Sequence, residues 1–224
     1  MLDELWDSST KLFNPRKIDE TFKAEIPKAS IKKAWIVLGI AVILSVLISI
    51  INTVEAAHFS IFTYDTLAEV ADVEDIQVDW SPFWPFVVSR TGILIPSMLA
   101  IIYAFERLNF EVLKRTGGKG EFKGQFYIIS IIAFALMIAS SLLFIAPVPC
   151  IGAPIVILFI LLSLYFGIFV TGKAYQAVHG IGFWHAIGVV IIMNIPKMIS
   201  MFLVYQLFII LGLPELPFEL IKYV

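Results

Sequence analysis

The sequence predicts an all-α membrane protein, a polytopic bundle of about five transmembrane helices behind a short amphipathic N-terminal segment. Of the 224 residues, 59% are hydrophobic and only 15% are charged, which leaves too little polar surface for a water-soluble domain of this size. The apolar residues gather in five long runs, and none alternates polar and apolar residues as the strands of a membrane barrel do. Helices are therefore the structure that satisfies the backbone of these runs in lipid.

The five runs have the length of transmembrane helices, since roughly 20 helical residues cross a hydrocarbon core of about 30 Å. The fifth run is too long for one straight crossing, so tilt, a kink at Pro196 or an extension beyond the bilayer is expected. A re-entrant break at Pro196 is the alternative. The predicted membrane domain covers residues 34–212, with spans at 34–54, 83–105, 124–146, 151–172 and 183–212.

Residues 1–33 form the head, a charged amphipathic segment ahead of the first run. Asn14 and Pro15 favour a helix start with Asn14 as the N-cap, and Ile18 and Phe22 then lie four residues apart on one face. Two interpretations of this face stay open. The head lies either on the inner leaflet or a partner helix, or it packs as a helix beneath the bundle.

Lysine and arginine are divided unequally among the segments outside the runs. The head holds seven and the 106–123 connection five, whereas the 55–82 connection has none and carries seven acidic residues. Because basic loops stay in the cytoplasm, we expect a multi-pass cell-membrane protein with a cytoplasmic N terminus. The acidic 55–82 loop and the 213–224 tail are then extracytoplasmic. The predicted cytoplasmic basic surface comprises Arg16, Lys17, Lys114, Arg115, Lys119 and Lys123.

No catalytic motif is found in the sequence. The segment 116–120, Thr-Gly-Gly-Lys-Gly, lacks the spacing of a phosphate-binding loop and the Ser or Thr that follows its lysine. None of the three histidines belongs to a zinc-protease motif, and His179 is expected to be an interfacial imidazole with one nitrogen in water. We therefore expect no enzyme activity, no cofactor and no metal centre. The net charge of −2 argues against nucleic acid as a partner.

The acidic loop contains carboxylates that are close enough in sequence to bind a hard cation such as calcium. The alternative is that they only reflect the location of the loop, because the turn-forming glycine of an EF-hand is missing. The candidate cation ligands are Asp72, Glu74, Asp75 and Asp79.

Two basic residues, Arg90 and Lys197, lie inside predicted spans, where an unpaired charge is costly. Counted from the ends of their runs at about 1.5 Å per residue, both fall in the outer half of the bilayer. One hypothesis is that they line a single outward-facing polar pocket closed by the 55–82 loop. The other is that each side chain reaches the interface separately.

Three segments resemble parts of the Yip family, the Ypt/Rab-interacting membrane proteins. They are residues 12–16 (LFNPR), 117–124 (GGKGEFKG) and 173–180 (KAYQAVHG). The order of five spans also resembles this family, especially its compact prokaryotic members, although the 55–82 loop is longer and more acidic than the family's pattern. The resemblance implies an integral membrane scaffold with a cytoplasmic N terminus. Eukaryotic members are linked to vesicle traffic and small GTPases, and the family offers no catalytic residues to transfer.

The leading functional hypothesis is a non-enzymatic membrane scaffold or adaptor of the Yip type. Its expected partners are membrane lipids and a protein, which is either a different chain or a second copy within the membrane. The alternative is a small transporter or channel in which Arg90 and Lys197 contact an anion or substrate. A membrane enzyme ranks last, because the predicted third and fourth spans contain no acidic or basic residue.

Overall fold

A computed structural model describes residues 2–71, 76–78, 81, 83–145, 152–210 and 221–223 of the chain. Within those ranges, the side chains are not described at 52–71, 76–78, 89–90, 144–145, 201, 205, 207–210 and 221–223. The described helices are α1 (Leu2–Lys11), α2 (Ile18–Glu25), α3 (Ile31–Ala71), α4 (Phe83–Ser89), α5 (Ile95–Arg115), α6 (Phe122–Ser140), α7 (Gly152–Leu164), α8 (Thr171–His179) and α9 (Phe183–Ile210). Short 3-10 helices cover Ile26–Lys28 and Ser141–Ile145, and π-helical segments cover Arg90–Leu94 and Tyr165–Val170.

Five of the described helical stretches are long and apolar enough to cross a membrane, which confirms the all-α polytopic bundle. The π-helical segments join α4 to α5 and α7 to α8 without a break, so each pair forms one continuous span. The five candidate spans are Ile31–Ile51, Phe83–Arg115, Phe122–Leu143, Gly152–His179 and Phe183–Val204.

Helix α3 is much longer than the first predicted span. It contains 41 residues and ends at Ala71, so the first part of the expected 55–82 loop is helical. Residues 55–71 contain neither glycine nor proline, and the first proline after them is Pro82. The acidic residues mark where the sequence stops being apolar, but they supply no signal that ends a helix.

The only described strands are β1 (Ile76–Val78) and β2 (Ile221–Tyr223), which pair antiparallel. This short ribbon ties the connection after the first span to the tail after the fifth. The two segments therefore lie on the same side of the bundle, as the four crossings between them require.

Helix α9 runs without interruption from Phe183 to Ile210, with Pro196 inside it. The alternative of a re-entrant break at Pro196 is therefore wrong for this chain. The hydroxyl of Ser200 donates to the carbonyl of Pro196 over 2.9 Å, which satisfies one carbonyl near the proline.

The head packs beneath the bundle through its apolar face. Leu12, Ile18 and Phe22 are fully buried in the same core as the spans, and the Tyr165 hydroxyl of the fourth span donates to the carbonyl of Leu12 over 3.0 Å. This packing favours the second interpretation of that face. Leu2 and Trp6, which are also in α1, remain exposed.

Helix α2 begins at Ile18, three residues later than Asn14 and Pro15 suggested. Asn14 instead forms a turn, in which its side-chain oxygen accepts from the backbone N–H of Arg16 over 3.1 Å. Its carbonyl accepts from the N–H of Lys17 over 2.9 Å. An asparagine that closes a turn satisfies its side chain as well as an N-cap does, so the residue type alone could not separate the two.

Glu25 links the head to the third span through side-chain hydrogen bonds. Its buried carboxylate accepts from the Ser8 hydroxyl of α1 over 2.9 Å, the Tyr127 hydroxyl of α6 over 3.1 Å and the Lys28 ammonium over 2.9 Å. The hydrogen bond and the charge of Glu25 raise the pKa of Lys28 above its usual 10.5. One carboxylate therefore links both head helices to the bundle.

Candidate functional site

A cavity of about 680 Å³ lies inside the bundle, among all five spans. Its walls are mainly aliphatic, with Ile102, Ile132 and Val190 among the lining residues. Ligand pockets in proteins occupy roughly 300–1,000 Å³ and combine apolar walls with a few placed polar groups. We call the end of the bundle that carries α1, α2 and the 116–121 connection the head end.

Three polar side chains meet in the part of the cavity nearest the head end: Glu106, Asn109 and Tyr175. The Tyr175 hydroxyl donates to Glu106 Oε2 over 2.9 Å, and the Asn109 amide nitrogen donates to the Tyr175 oxygen over 2.7 Å. Glu106 is only 2% exposed. A buried carboxylate is tolerated when donors surround it, as they do here.

Gln125 and His179 support this cluster from the head end. The Gln125 amide nitrogen donates to the backbone carbonyl and to Oε2 of Glu106, both over 3.0 Å. Its amide oxygen therefore faces His179 and accepts a hydrogen bond from the His179 Nε2–H over 2.8 Å. His179 is 1% exposed, so the expected interfacial imidazole is wrong. The sequence shows no carboxylate near His179, but the fold links it to Glu106 through one amide.

The glycine-rich segment packs directly on His179. A Cβ on Gly118 would lie 2.8 Å from His179 Nδ1, and a Cβ on Gly120 would lie 2.5 Å from the carbonyl of Val178. The Lys119 N–H donates to the carbonyl of His179 over 3.0 Å. These glycines are therefore needed for close backbone approach. The segments 117–124 and 173–180, which carry two parts of the family resemblance, are in contact.

The fourth span widens where it borders the cavity. The π-helical segment Tyr165–Val170 shifts the backbone hydrogen bonds, and the Asn194 amide of α9 donates to the carbonyl of Gly167 over 3.3 Å. The Thr171 hydroxyl donates to the carbonyl of Phe166 over 2.8 Å. Gly167, Thr171 and Asn194 all line the cavity, so the irregular backbone and its partners belong to the cavity wall.

Lys197 lines the same cavity, farther from the head end. It is fourteen residues along α9 from Phe183, or about 21 Å at 1.5 Å per residue. In the described part of the chain, no hydrogen bond or ion pair engages its ammonium. The side chain of Arg90 lies outside the described residues, so a pocket shared by Arg90 and Lys197 stays a prediction.

The sequence-predicted basic surface is exposed at all six of its positions. Within it, Lys123 forms an ion pair of 2.6 Å with Glu121, and the Lys114 ammonium lies 5.5 Å from the ring centre of Phe110. The candidate cation ligands lie outside the described residues, so cation binding stays a prediction. Those ligands are Asp72, Glu74, Asp75 and Asp79.

The sequence interpretation missed the buried cluster, because it ended the second span at residue 105. The helix continues to Arg115, which places the acidic residue Glu106 inside a candidate span. A signal was present, since the buried residues Ile102, Glu106, Asn109 and Leu113 recur at helical spacing. An acid and an amide on an otherwise apolar face indicate a buried polar site.

Comparison with known proteins adds no assignment: no family model, no curated protein and no solved structure matches this chain.

Proposed function

We propose that this protein is a non-enzymatic membrane scaffold or adaptor of the Yip type that acts through protein or lipid contacts. The observation that carries the lipid part of the proposal is the partly open cavity of about 680 Å³ that is lined by residues of all five candidate spans. Protein interiors are close-packed and contain few voids larger than a water molecule. A cavity of this size, with aliphatic walls and several polar groups, suits an amphipathic occupant taken from the membrane.

Two glycines offer a matched test of lipid binding. Gly167 lines the cavity and Gly188 does not, yet a Cβ at either position meets no atom within 4 Å. Gly167→Leu therefore adds an apolar side chain at a residue of the cavity wall, whereas Gly188→Leu adds the same apolar group elsewhere on the spans. Each variant is purified from membranes, and its bound lipid is identified by native mass spectrometry.

The proposal expects bound lipid on the unaltered chain and on Gly188→Leu, and its loss from Gly167→Leu. Equal lipid on all three proteins would place lipid outside the cavity and overturn the proposal. Absence of lipid from the unaltered chain would do the same.

A small transporter or channel is the second candidate, and it is favoured by the Lys197 ammonium, which lines the cavity and has no partner among the described residues. Lys197→Met, together with Arg90→Gln, separates the two functions. A transporter loses flux across reconstituted vesicles while its fold and partners are retained. A scaffold keeps its partners and has no flux to lose.

The orientation is part of the proposal, with the head in the cytoplasm of the cell membrane. Single cysteines at two exposed positions, Ser81→Cys and Lys119→Cys, test it after the natural Cys150 is replaced by serine. An impermeant thiol reagent is expected to label position 81 in intact cells and position 119 only after permeabilisation. The reverse pattern would contradict the orientation.

A further inference from the structure

The end of the cavity nearest the head offers two hydrogen-bond acceptors. Among the described residues, Glu106 Oε1 has a single contact, with the Asn109 amide nitrogen at 3.4 Å, which is longer than the usual ~2.7–3.2 Å of such bonds. Asn109 Oδ1 has no partner among the described residues, although the side chain is only 6% exposed. Both residues line the cavity.

The orientation of the Asn109 amide is fixed by its neighbours. Its nitrogen faces the Glu106 carboxylate and the Tyr175 oxygen. A flipped amide would set its oxygen against the carboxylate, two acceptors with no proton between them. Oδ1 is therefore the atom without a partner among the described residues, and it can accept a hydrogen bond from a ligand in the cavity.

Farther along the cavity, a hydrogen-bond donor lacks acceptors. The Lys197 ammonium can donate three hydrogen bonds, and none is made within the described part of the chain. The neighbouring Asn194 amide nitrogen is already bonded to the carbonyl of Gly167. An unpaired cation in a low-dielectric interior is strongly stabilised by an anion. The cavity thus presents acceptors at one level and a cation at another.

We propose that this cavity selects a single-chain zwitterionic lipid with a primary ammonium, an inference that rests on the proposed lipid-binding function. The ammonium group of the lipid donates to Glu106 Oε1 and Asn109 Oδ1, and its phosphate accepts from Lys197. The aliphatic walls hold the acyl chain. One acyl chain suits the volume of about 680 Å³, which is of the size that holds one drug-sized ligand.

Three lysophospholipids with the same acyl chain test the head-group selectivity on the unaltered full chain in detergent. Lysophosphatidylethanolamine has a phosphate and N–H donors, lysophosphatidylcholine has the same charges without N–H donors, and lysophosphatidylglycerol has a phosphate without a cation. We expect the first to bind about tenfold more tightly than each of the others. The choline head group leaves the buried acceptors unpaired, and the glycerol head group supplies no cation for the Glu106 carboxylate. Titration by native mass spectrometry measures the three dissociation constants.

Two variants assign the selectivity to its residues. Glu106→Gln is expected to abolish the preference for lysophosphatidylethanolamine. Lys197→Met is expected to raise the dissociation constants of all three lipids about tenfold. Matched controls are Glu111→Gln, at a half-exposed position, and Lys123→Met, at an exposed one, and both are expected to leave binding unchanged.

Equal binding of the ethanolamine and choline lipids to the unaltered chain overturns the selectivity but leaves lipid binding standing. A preference that survives in Glu106→Gln also overturns it. Failure of all three lipids to bind overturns the proposed function as well.

Discussion

The two polar regions of the cavity differ in how their groups are paired. Near the head end, Glu106 receives donors from Asn109, Gln125 and Tyr175, and the group is held by two other spans. Farther along, Lys197 has no described partner. A buried polar group that is bonded to its own chain contributes to stability, whereas an unpaired one gives up stability that a ligand can restore. The comparison therefore divides the site by atoms. Glu106 Oε2 and its donors form a structural part, whereas Lys197, Glu106 Oε1 and Asn109 Oδ1 form a binding part.

Removing the acceptor of the paired region is expected to have the largest effect on stability. Glu106→Ala leaves the Tyr175 hydroxyl without its acceptor and removes one of the two acceptors of the Gln125 amide. We expect the free energy of unfolding in mixed micelles to fall by about 3 kcal/mol. Glu111→Ala, at a half-exposed position of the same helix, serves as the control. A loss below about 1 kcal/mol would show that the cluster is not structural.

The close packing of the glycine-rich segment on α8, next to His179, is the next test of the paired region. In Gly120→Ala the new Cβ meets the carbonyl of Val178 at 2.5 Å, so the segment must move away. We expect a destabilisation of about 2 kcal/mol, measured by the same unfolding assay. Gly182→Ala meets no atom within 4 Å and has no left-handed backbone, so it is expected to change stability by less than about 0.5 kcal/mol. Similar effects at the two glycines would contradict the packing argument.

A smaller loss is expected where the head is fastened to the third span. Tyr127→Phe removes one of the three donors to the Glu25 carboxylate and leaves the Ser8 and Lys28 contacts in place. The unfolding free energy should fall by about 1 kcal/mol. The matched control is Tyr103→Phe, which keeps the aromatic ring that stacks on Trp35. If both changes are neutral, the head is not held by Glu25.

The sequence was sufficient to predict the bundle, because each crossing needs an uninterrupted apolar run and only five runs exist. It was poorer at the ends of the helices. Charged residues mark the passage from lipid to water, but they do not by themselves end a helix. For this reason α3 continues to Ala71, and the second span reaches Arg115, just before Gly117.

The candidate site was predicted in part. The cost of a charge in lipid singled out Lys197, and the structure places this residue in the cavity. Glu106 and Asn109 were assigned to a loop, although their helical spacing with Ile102 carried a signal. The contact of Gln125 with His179 joins residues 54 positions apart. No local pattern in a single sequence reports a pairing at that distance.

Lys197→Met tests the central comparison most directly, since one variant yields two independent readouts. The ammonium makes no described contact within the chain, so its replacement by an apolar side chain is expected to leave the unfolding free energy of the lipid-free protein unchanged or to raise it. The same protein purified from membranes is expected to carry far less bound lipid than the unaltered chain. A variant that loses stability and keeps its lipid would contradict the division of the cavity into a structural and a binding part.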